Sequence, residues 1–281
     1  MSCSKQNSTK KAKLWKPSFE YKVDYNDHFE TPITAYHDIL PILDFLKSKR
    51  NDHILYDPYY CNGRTAILLR QLGFNKVVHA KRDFYKDIEE NNIPPHDTLV
   101  TNPPYSESHK EKCIAFVIKQ LKKDKRPFFL LMPNYVAAKH YYRRLLIEND
   151  CAQDVAYLAP STPYDYDHPE GTGHDIPPFN SLWFVGVGKE NIQGIKKSWK
   201  SHPGSPKFLT SLEDLEEQSI ITTQRRPNPR QRKKRREKKS SNKQDKQKMD
   251  QTKSIVTTSS KKSKKMSRYR DGDGKRIRKR F

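Results

Sequence analysis

Apolar residues along the chain fall into short runs, separated by polar and turn-forming stretches, and their periodicity changes from one run to the next. After Thr31-Pro32, the stretch AYHDILPILDFLKSKR has apolar residues at 39, 40, 42, 43, 45 and 46, a spacing that predicts a core-facing helix. Pro41 is compatible with it if Asp38 caps the helix and the proline falls in the first turn. HILY predicts a short buried strand ending at Asp57, followed by a turn holding Asn62-Gly63. Thr65–Leu72 predicts a helix stopped by Gly73. KVVHA and DTLV predict two more strands, the second broken by Asn102-Pro103-Pro104-Tyr105. Glu107–Lys123 is amphipathic around Ile114, Phe116, Val117, Ile118 and Leu121. PFFLLM predicts a buried strand and Ala137–Glu148 a helix. VAYL and LWFVGV predict the last two strands, on either side of the long loop Pro160–Asn180.

Strands alternating with helices predict an α/β fold, a mostly parallel doubly wound sheet. The last two strands have no helix between them and are expected as an antiparallel edge pair. Beyond Gly188 the pattern fades, apart from a short helix at Ser211–Ser219. The expected organisation is a basic arm at 1–19, one domain at 20–189, a linker at 190–223 and a Lys/Arg-rich tail at 224–281. The tail has almost no apolar residues and reads as disordered.

Charge changes this picture through its distribution. The 281 residues carry a net charge of +22, which points to a polyanionic partner, nucleic acid first. Residues 224–281 hold 25 basic and 5 acidic residues, and residues 1–19 hold 5 Lys and no acid. The stretch between them has 25 basic and 28 acidic residues, so a near-neutral body lies between basic ends. No apolar run approaches the ~20 residues that cross a bilayer, so no membrane partner is expected. The N-terminus lacks the apolar core of a secretory signal, and Lys without Arg makes a mitochondrial presequence the lesser reading. The four cysteines are dispersed without a C-x-x-C pair, which argues against a disulfide framework or a zinc site.

Ligands of doubly wound sheets bind beyond the carboxyl ends of the strands. Two unusual segments lie at such ends, Asp57-Pro-Tyr-Tyr-Cys-Asn-Gly63 and Asn102-Pro-Pro-Tyr105. With these residues the sequence resembles the S-adenosylmethionine-dependent amino-methyltransferases of the Asn-Pro-Pro-Tyr group, which includes many adenine-N6 methyltransferases. The resemblance covers roughly 29–188 and implies a Rossmann-like class I methyltransferase fold. It also implies S-adenosylmethionine as methyl donor and Asn102, Pro103, Pro104 and Tyr105 as the catalytic segment. Asn102 Oδ1 and the Pro103 carbonyl would accept the two N–H bonds of an exocyclic amine and aim its lone pair at the methyl group. Tyr105 would stack on a base taken out of its helix. For the methyl donor the resemblance implies Thr31 and Pro32, the turn residues Asp57, Tyr59, Cys61 and Gly63, and the pair Asp83-Phe84.

The sequence departs from the family pattern in three places. Cys61 stands where the first glycine of the turn is usual. No acid directly ends KVVHA, where the family holds the ribose hydroxyls, so Asp83 could serve the ribose or the adenine or be a plain surface acid. Only about 45 residues separate Asp57 from Asn102, so one strand–helix unit is expected to be shortened. Cys61 reads as a packing residue, since no activating base is evident. In the long loop Tyr164, Tyr166, His168 and His174 lie among acids, at a spacing that matches no known metal pattern. A substrate-side lid and an ordinary solvated loop are the two readings that remain for it. In the tail, Arg225, Arg226, Arg230, Arg232, Lys233, Lys234, Arg235 and Arg236 read as a phosphate-binding and nuclear or nucleolar signal. The expected activity is N6-methylation of adenine, in RNA ahead of DNA, with an activating protein subunit left open. Methylation of a protein glutamine amide and a silent RNA-binding scaffold are the alternatives.

Overall fold

The computed structural model describes residues 29–47, 49–166 and 179–222. All described residues belong to one compact unit within Met1–Thr223. The basic arm at 1–19 and the tail at 224–281 lie outside the described residues.

A seven-stranded sheet forms the centre, from β1 (Ile54–Tyr56), β2 (Lys76–Val78), β3 (Thr98–Thr101), β4 (Phe128–Pro133), β5 (Val155–Ala159), β6 (Ser181–Gly186) and β7 (Lys207–Leu209). Their order across the sheet is β2-β1-β3-β4-β6-β5-β7. β1 to β5 share one direction, and β6 and β7 run against them. The sheet is thus mostly parallel, with β5 and β6 antiparallel to each other as expected.

Two of the sequence expectations change. The β5–β6 pair is not the edge, because β7 pairs outside β5. Residues 190–223 are not a linker: they hold α6 (Lys189–Ser198), β7 and α7 (Leu212–Glu217), and they bury Ile192, Ile195, Leu209, Leu215 and Ile221. Their apolar residues are few and set among lysines and glycines, so no periodicity stands out over the segment. A three-residue strand starting on Lys207 also has the form edge strands take to avoid pairing with other chains.

Both faces of the sheet are covered, which explains why β4 is apolar throughout. Phe128, Leu130 and Met132 join the cluster under α4 (His109–Asp124) and α5 (His140–Glu148). Phe129 and Leu131 face the cluster under α1 (Ile33–Leu46), α2 (Arg64–Gln71) and α6. In α1 the sequence reading of the cap is corrected. The helix begins at Ile33 after Pro32, so Asp38 and Pro41 both lie inside it. Pro41 removes one backbone donor, a cost of about 3 kcal/mol in a regular helix. Burial of Ala35, Tyr36, Ile39, Ile42 and Leu43 offsets it. Trp183 Nε1 donates to the Ala35 carbonyl at 3.0 Å, and the Tyr164 hydroxyl donates to Asp38 at 2.6 Å.

Between β2 and β3 the described chain holds only the short helix α3 (Phe84–Glu89), so the expected shortening of one strand–helix unit is seen. No helix among the described residues is long and apolar enough to cross a membrane.

Candidate functional site

β1 and β3 are parallel neighbours, so the turn after Asp57 and the segment Asn102–Tyr105 leave the sheet at the same end. The two are joined directly. Thr101, the last residue of β3, donates its hydroxyl to Asp57 Oδ1 at 2.5 Å. Tyr59 N–H donates to the same oxygen at 3.1 Å, in a turn closed by the side chain of its first residue. Thr65, on the first turn of α2, also hydrogen-bonds this carboxylate. Burial pushes the Asp57 carboxyl above the usual carboxylate range, and His79 and the two threonine hydroxyls oppose that shift.

The turn closes through Gly63 N–H to the Tyr60 carbonyl at 2.8 Å. Gly63 has φ +81° and is the N-terminal residue from which α2 starts. A Cβ there would sit 2.8 Å from the Tyr60 hydroxyl. Cys61 has φ +46°, in the left-handed region that favours glycine. The residue that departs from the family pattern therefore keeps the backbone shape a glycine would take. Burial pushes its thiol up to about 12, which keeps it protonated and agrees with a packing role.

The segment before α1 closes over this turn. Glu30 pairs with Arg64 at 3.0 Å. Thr31 is buried and hydrogen-bonds the Tyr36 hydroxyl, which donates to Thr65 at 3.1 Å. Pro32 supplies the extended backbone that starts α1. One residue before Glu30, the Phe29 carbonyl accepts from Asn102 Nδ2 at 3.3 Å. Thr31-Pro32, the Asp57 turn and Asn102 are thus brought together.

Asn102 is fixed at both ends of its amide. Opposite the Phe29 contact, its Oδ1 accepts the Tyr105 hydroxyl at 2.7 Å, and that hydroxyl also lies 3.2 Å from the Leu131 carbonyl. Burial holds the Tyr105 phenol well above its ordinary value, so it remains a donor. The expectation for Tyr105 was a stacking ring alone, and its inward hydroxyl adds the positioning of Asn102. Pro103 is buried and Pro104 half-buried. Lys110 Nζ donates to the Tyr105 carbonyl, which fixes the far end of the segment. The Tyr105 ring meets Phe179 edge-on, with centroids 5.4 Å apart, and Phe29 meets Tyr166 at 6.4 Å.

Two expected donor-binding residues have other roles. Asp83 caps α3, its carboxylate accepting from Tyr85 N at 3.0 Å and Lys86 N at 3.3 Å. Phe84 is 3% exposed and packs against Tyr56, Tyr59 and Phe116, because it is the inward residue of a short helix. Phe84 is therefore a packing residue, and Asp83 Oδ1 is engaged in the cap. Tyr59 bonds the Tyr85 hydroxyl at 3.1 Å, which in turn lies 2.6 Å from His109 Nδ1.

His79 was not foreseen. It directly follows β2, its side chain is 1% exposed, and it stacks on Tyr60 with centroids 5.0 Å apart. Its Nδ1 lies 3.1 Å from the Asp57 carbonyl, so Nδ1 carries the proton and donates. Among the described residues Nε2 is buried with no hydrogen-bond partner, and in the neutral ring it is an acceptor. Its position as the last residue before the chain leaves the strand was the available signal. Phe179, Thr101 and Thr65 gave none, since their roles depend on which strands become neighbours.

His168 and His174 of the long loop lie outside the described residues, as do Arg225, Arg226, Arg230, Arg232, Lys233, Lys234, Arg235 and Arg236. Among the described residues, no group of three or more His, Cys, Asp or Glu converges as a metal site.

No protein-family model and no curated protein matches this chain. Among solved structures, it is similar to a type I restriction-modification system methyltransferase subunit from Streptococcus thermophilus, with 14% identity and a TM-score of 0.37. That likeness covers 68% of this chain and 57% of the other, so this chain spans little more than half of that relative. It is also similar to fibrillarin from Aeropyrum pernix, solved with natively bound S-adenosyl-L-methionine. There the identity is 13%, the TM-score 0.30 and the coverage 54% of this chain and 72% of that one. Both likenesses are too distant to assign a function, which has to rest on the geometry of the site.

Proposed function

We propose that this chain is an S-adenosylmethionine-dependent methyltransferase that modifies the N6 amine of adenine in nucleic acid, RNA first. The observation that carries the reading is the Thr101–Asp57 hydrogen bond, which locks the Asn102 segment against the Asp57 turn at one end of the sheet. One loop suits an amine acceptor and its neighbour a nucleoside-bearing donor. S-adenosylmethionine supplies a methyl carbon on a positively charged sulfur.

The residues present fit such a donor. Gly63 keeps the turn tight, with the Tyr60 hydroxyl where a Cβ would sit, and His79 Nε2 offers a buried acceptor at the end of β2, where the resemblance expects an acid for the ribose. We assign the ribose hydroxyl to His79. An aryl amine is a poor nucleophile, because its lone pair is delocalised into the ring. Asn102 Oδ1 keeps a second lone pair beside the Tyr105 hydroxyl and accepts one amine proton, and the Pro103 carbonyl accepts the other. The nitrogen is thereby drawn toward a tetrahedral shape with its lone pair exposed. The group has to be aimed and its developing charge stabilised, and no strong base is required. The proton shed afterwards passes to water. The aromatic rings of Tyr105 and Phe179 suit a flat base more than a peptide amide. The basic ends of the chain, on this reading, bring it to a polyanion, in a nuclear or nucleolar setting.

The test is incubation of the full chain with labelled S-adenosylmethionine and RNA or DNA, followed by digestion to nucleosides. Label in N6-methyladenosine is expected. Label in a polypeptide would move the assignment to a glutamine amide, and no label anywhere would leave the scaffold alternative. Truncation after Thr223 should lower nucleic-acid affinity and flatten its salt dependence, while the methylated atom stays the same.

A further inference from the structure

Across the sheet, the Asp57 turn, the Asn102 segment and the end of β4 follow one another on adjacent parallel strands. What stands at the end of β4 is Tyr135, in the 3-10 turn Asn134–Ala138. Four large hydrophobic side chains are exposed among the described residues, and Tyr135, at 39%, is the one whose ring joins the aromatic cluster around Asn102. It makes a T-shaped contact with Phe179 at 6.1 Å and 85°, and Phe179 meets Tyr105 at 5.4 Å and 72°. Lys139 Nζ lies 5.5 Å from the Tyr135 ring centroid, and Lys139 and His140 are exposed.

The ring stands on a firm base. Val136 and Ala137 beside it are fully buried. Asn134 N–H donates to the Asn180 carbonyl at 2.7 Å, and Asn134 Nδ2 donates to the Ile220 carbonyl at 2.7 Å. A ring exposed on a rigid turn, with the ammonium of an exposed lysine over it, combines the two elements that hold a nucleotide of a single strand. The ring stacks the base and the cation meets the phosphate. A rigid ring also loses little freedom when a base settles on it. Tyr105 and Tyr135 flank the same Phe179 ring, so bases held at each would be neighbours.

We infer that Tyr135 and Lys139 form a second nucleotide subsite, in which the base adjoining the target adenine of a single-stranded RNA stacks on Tyr135 and its phosphate meets Lys139. This rests on the amine-methylation reading above. It makes the acceptor a strand of at least two nucleotides. A duplex would keep the adjoining base stacked on its own neighbours, and a glutamine-bearing peptide would have no base to offer the ring.

The experiment is single-turnover methylation by the full chain of short RNA strands carrying one adenine, with an abasic residue on one side of it, on the other, or on neither. One abasic position should slow wild-type by about 10- to 100-fold. Tyr135→Ala should show the same loss on the intact strand and no further loss on the abasic one. Tyr135→Phe, which keeps the ring, should retain the wild-type pattern, and Lys139→Gln should raise the concentration needed for half-maximal rate with little change in the maximal single-turnover rate. If the Tyr135→Ala and abasic losses multiply, or if Tyr135→Ala matches wild-type, the subsite is refuted. A DNA strand of the same sequence that shows the coupled loss when RNA shows none would overturn the RNA assignment.

A second readout does not depend on chemistry. Fluorescence of the Tyr135→Trp variant, compared with wild-type, should be quenched by the intact strand and not by an abasic strand of equal length. Quenching without methylation of any strand sinks the adenine reading and leaves the subsite standing. Methylation without quenching sinks the subsite and leaves the adenine reading.

Discussion

The two loops at the carboxyl ends of β1 and β3 face each other and are built on opposite terms. In the Asp57–Gly63 turn the residues differ from the pattern the resemblance implies while the shape is kept: Cys61 takes φ +46°, and His79, stacked on Tyr60 of the turn, follows β2 where the resemblance implies an acid. In the Asn102–Tyr105 segment the residues are unchanged and each polar side-chain atom has its place. Asn102 is held between the Phe29 carbonyl and the Tyr105 hydroxyl. A loop that wraps a ligand with its backbone tolerates new side chains so long as the dihedral angles survive. A loop that offers particular lone pairs to a substrate does not. If the contrast is right, substitutions in the second loop should remove chemistry, and those in the first should change donor affinity.

The largest effect is expected at Asn102. Asn102→Ala removes the acceptor for the amine and leaves the Tyr105 hydroxyl without its nearest partner. Methyl transfer should fall by about 100- to 1,000-fold, the loss usual for one group aimed at developing charge. Donor affinity measured by calorimetry should stay within about 2-fold, because Asn102 does not bond the Asp57 turn. Asn102→Asp keeps the lone pairs but sets a second acceptor against the Phe29 carbonyl, and should recover little. A donor affinity that drops as far as the rate would erase the distinction between the loops.

Asp57→Asn comes next. The amide fits the space and can still accept from Thr101 and Tyr59, but the charge is lost. A hydrogen bond to a charged group contributes about 1.5–3 kcal/mol. Donor affinity should therefore weaken by roughly 10- to 100-fold, and turnover at saturating donor should change far less. His79→Phe keeps the stack on Tyr60 and removes both ring nitrogens. It should weaken S-adenosylmethionine by about 5- to 10-fold, in line with one neutral hydrogen bond. It should also cancel the preference for S-adenosylmethionine over an analogue that lacks the ribose hydroxyls. If that preference survives in the variant, another residue holds the ribose.

How far these residues could be read from the chain follows from the same contrast. Asn102-Pro-Pro-Tyr105 stood out because four fixed residue types after a strand are rare and need no tertiary context. The parallel strands were legible because burial on both faces makes runs such as PFFLLM apolar without interruption. Asp83 and Phe84 were left open among several roles because a helix cap and a ligand both ask for an acid followed by an apolar residue. Only the fold shows that Tyr85 N and Lys86 N reach the carboxylate first. In 190–223 the expected helix at Ser211–Ser219 is seen as α7, whereas α6 and β7 were missed because they are held by contacts distant in sequence. Two examples are Ile195 against the face of α1 and Leu209 paired with Tyr157. Local propensity was weak there, and tertiary packing decided.

The smallest effect, and the one that bears most directly on the contrast, is Cys61→Gly. A non-glycine residue in the left-handed region carries a penalty of roughly 1–2 kcal/mol. Glycine at 61 removes that strain but adds freedom to the unfolded chain, which costs about 0.4–1 kcal/mol. The half-buried thiol also gives up some packing. The net stability change should be small, within about 1 kcal/mol of zero, and is read by chemical denaturation of the folded unit. The more telling number is donor affinity. If the turn works through its backbone, glycine reproduces the same dihedral angles with less strain, and S-adenosylmethionine should bind as tightly as before or up to a few-fold tighter. A loss of 10-fold or more would mean that the Cys61 side chain itself touches the donor. The first loop would then depend on particular atoms as the second does.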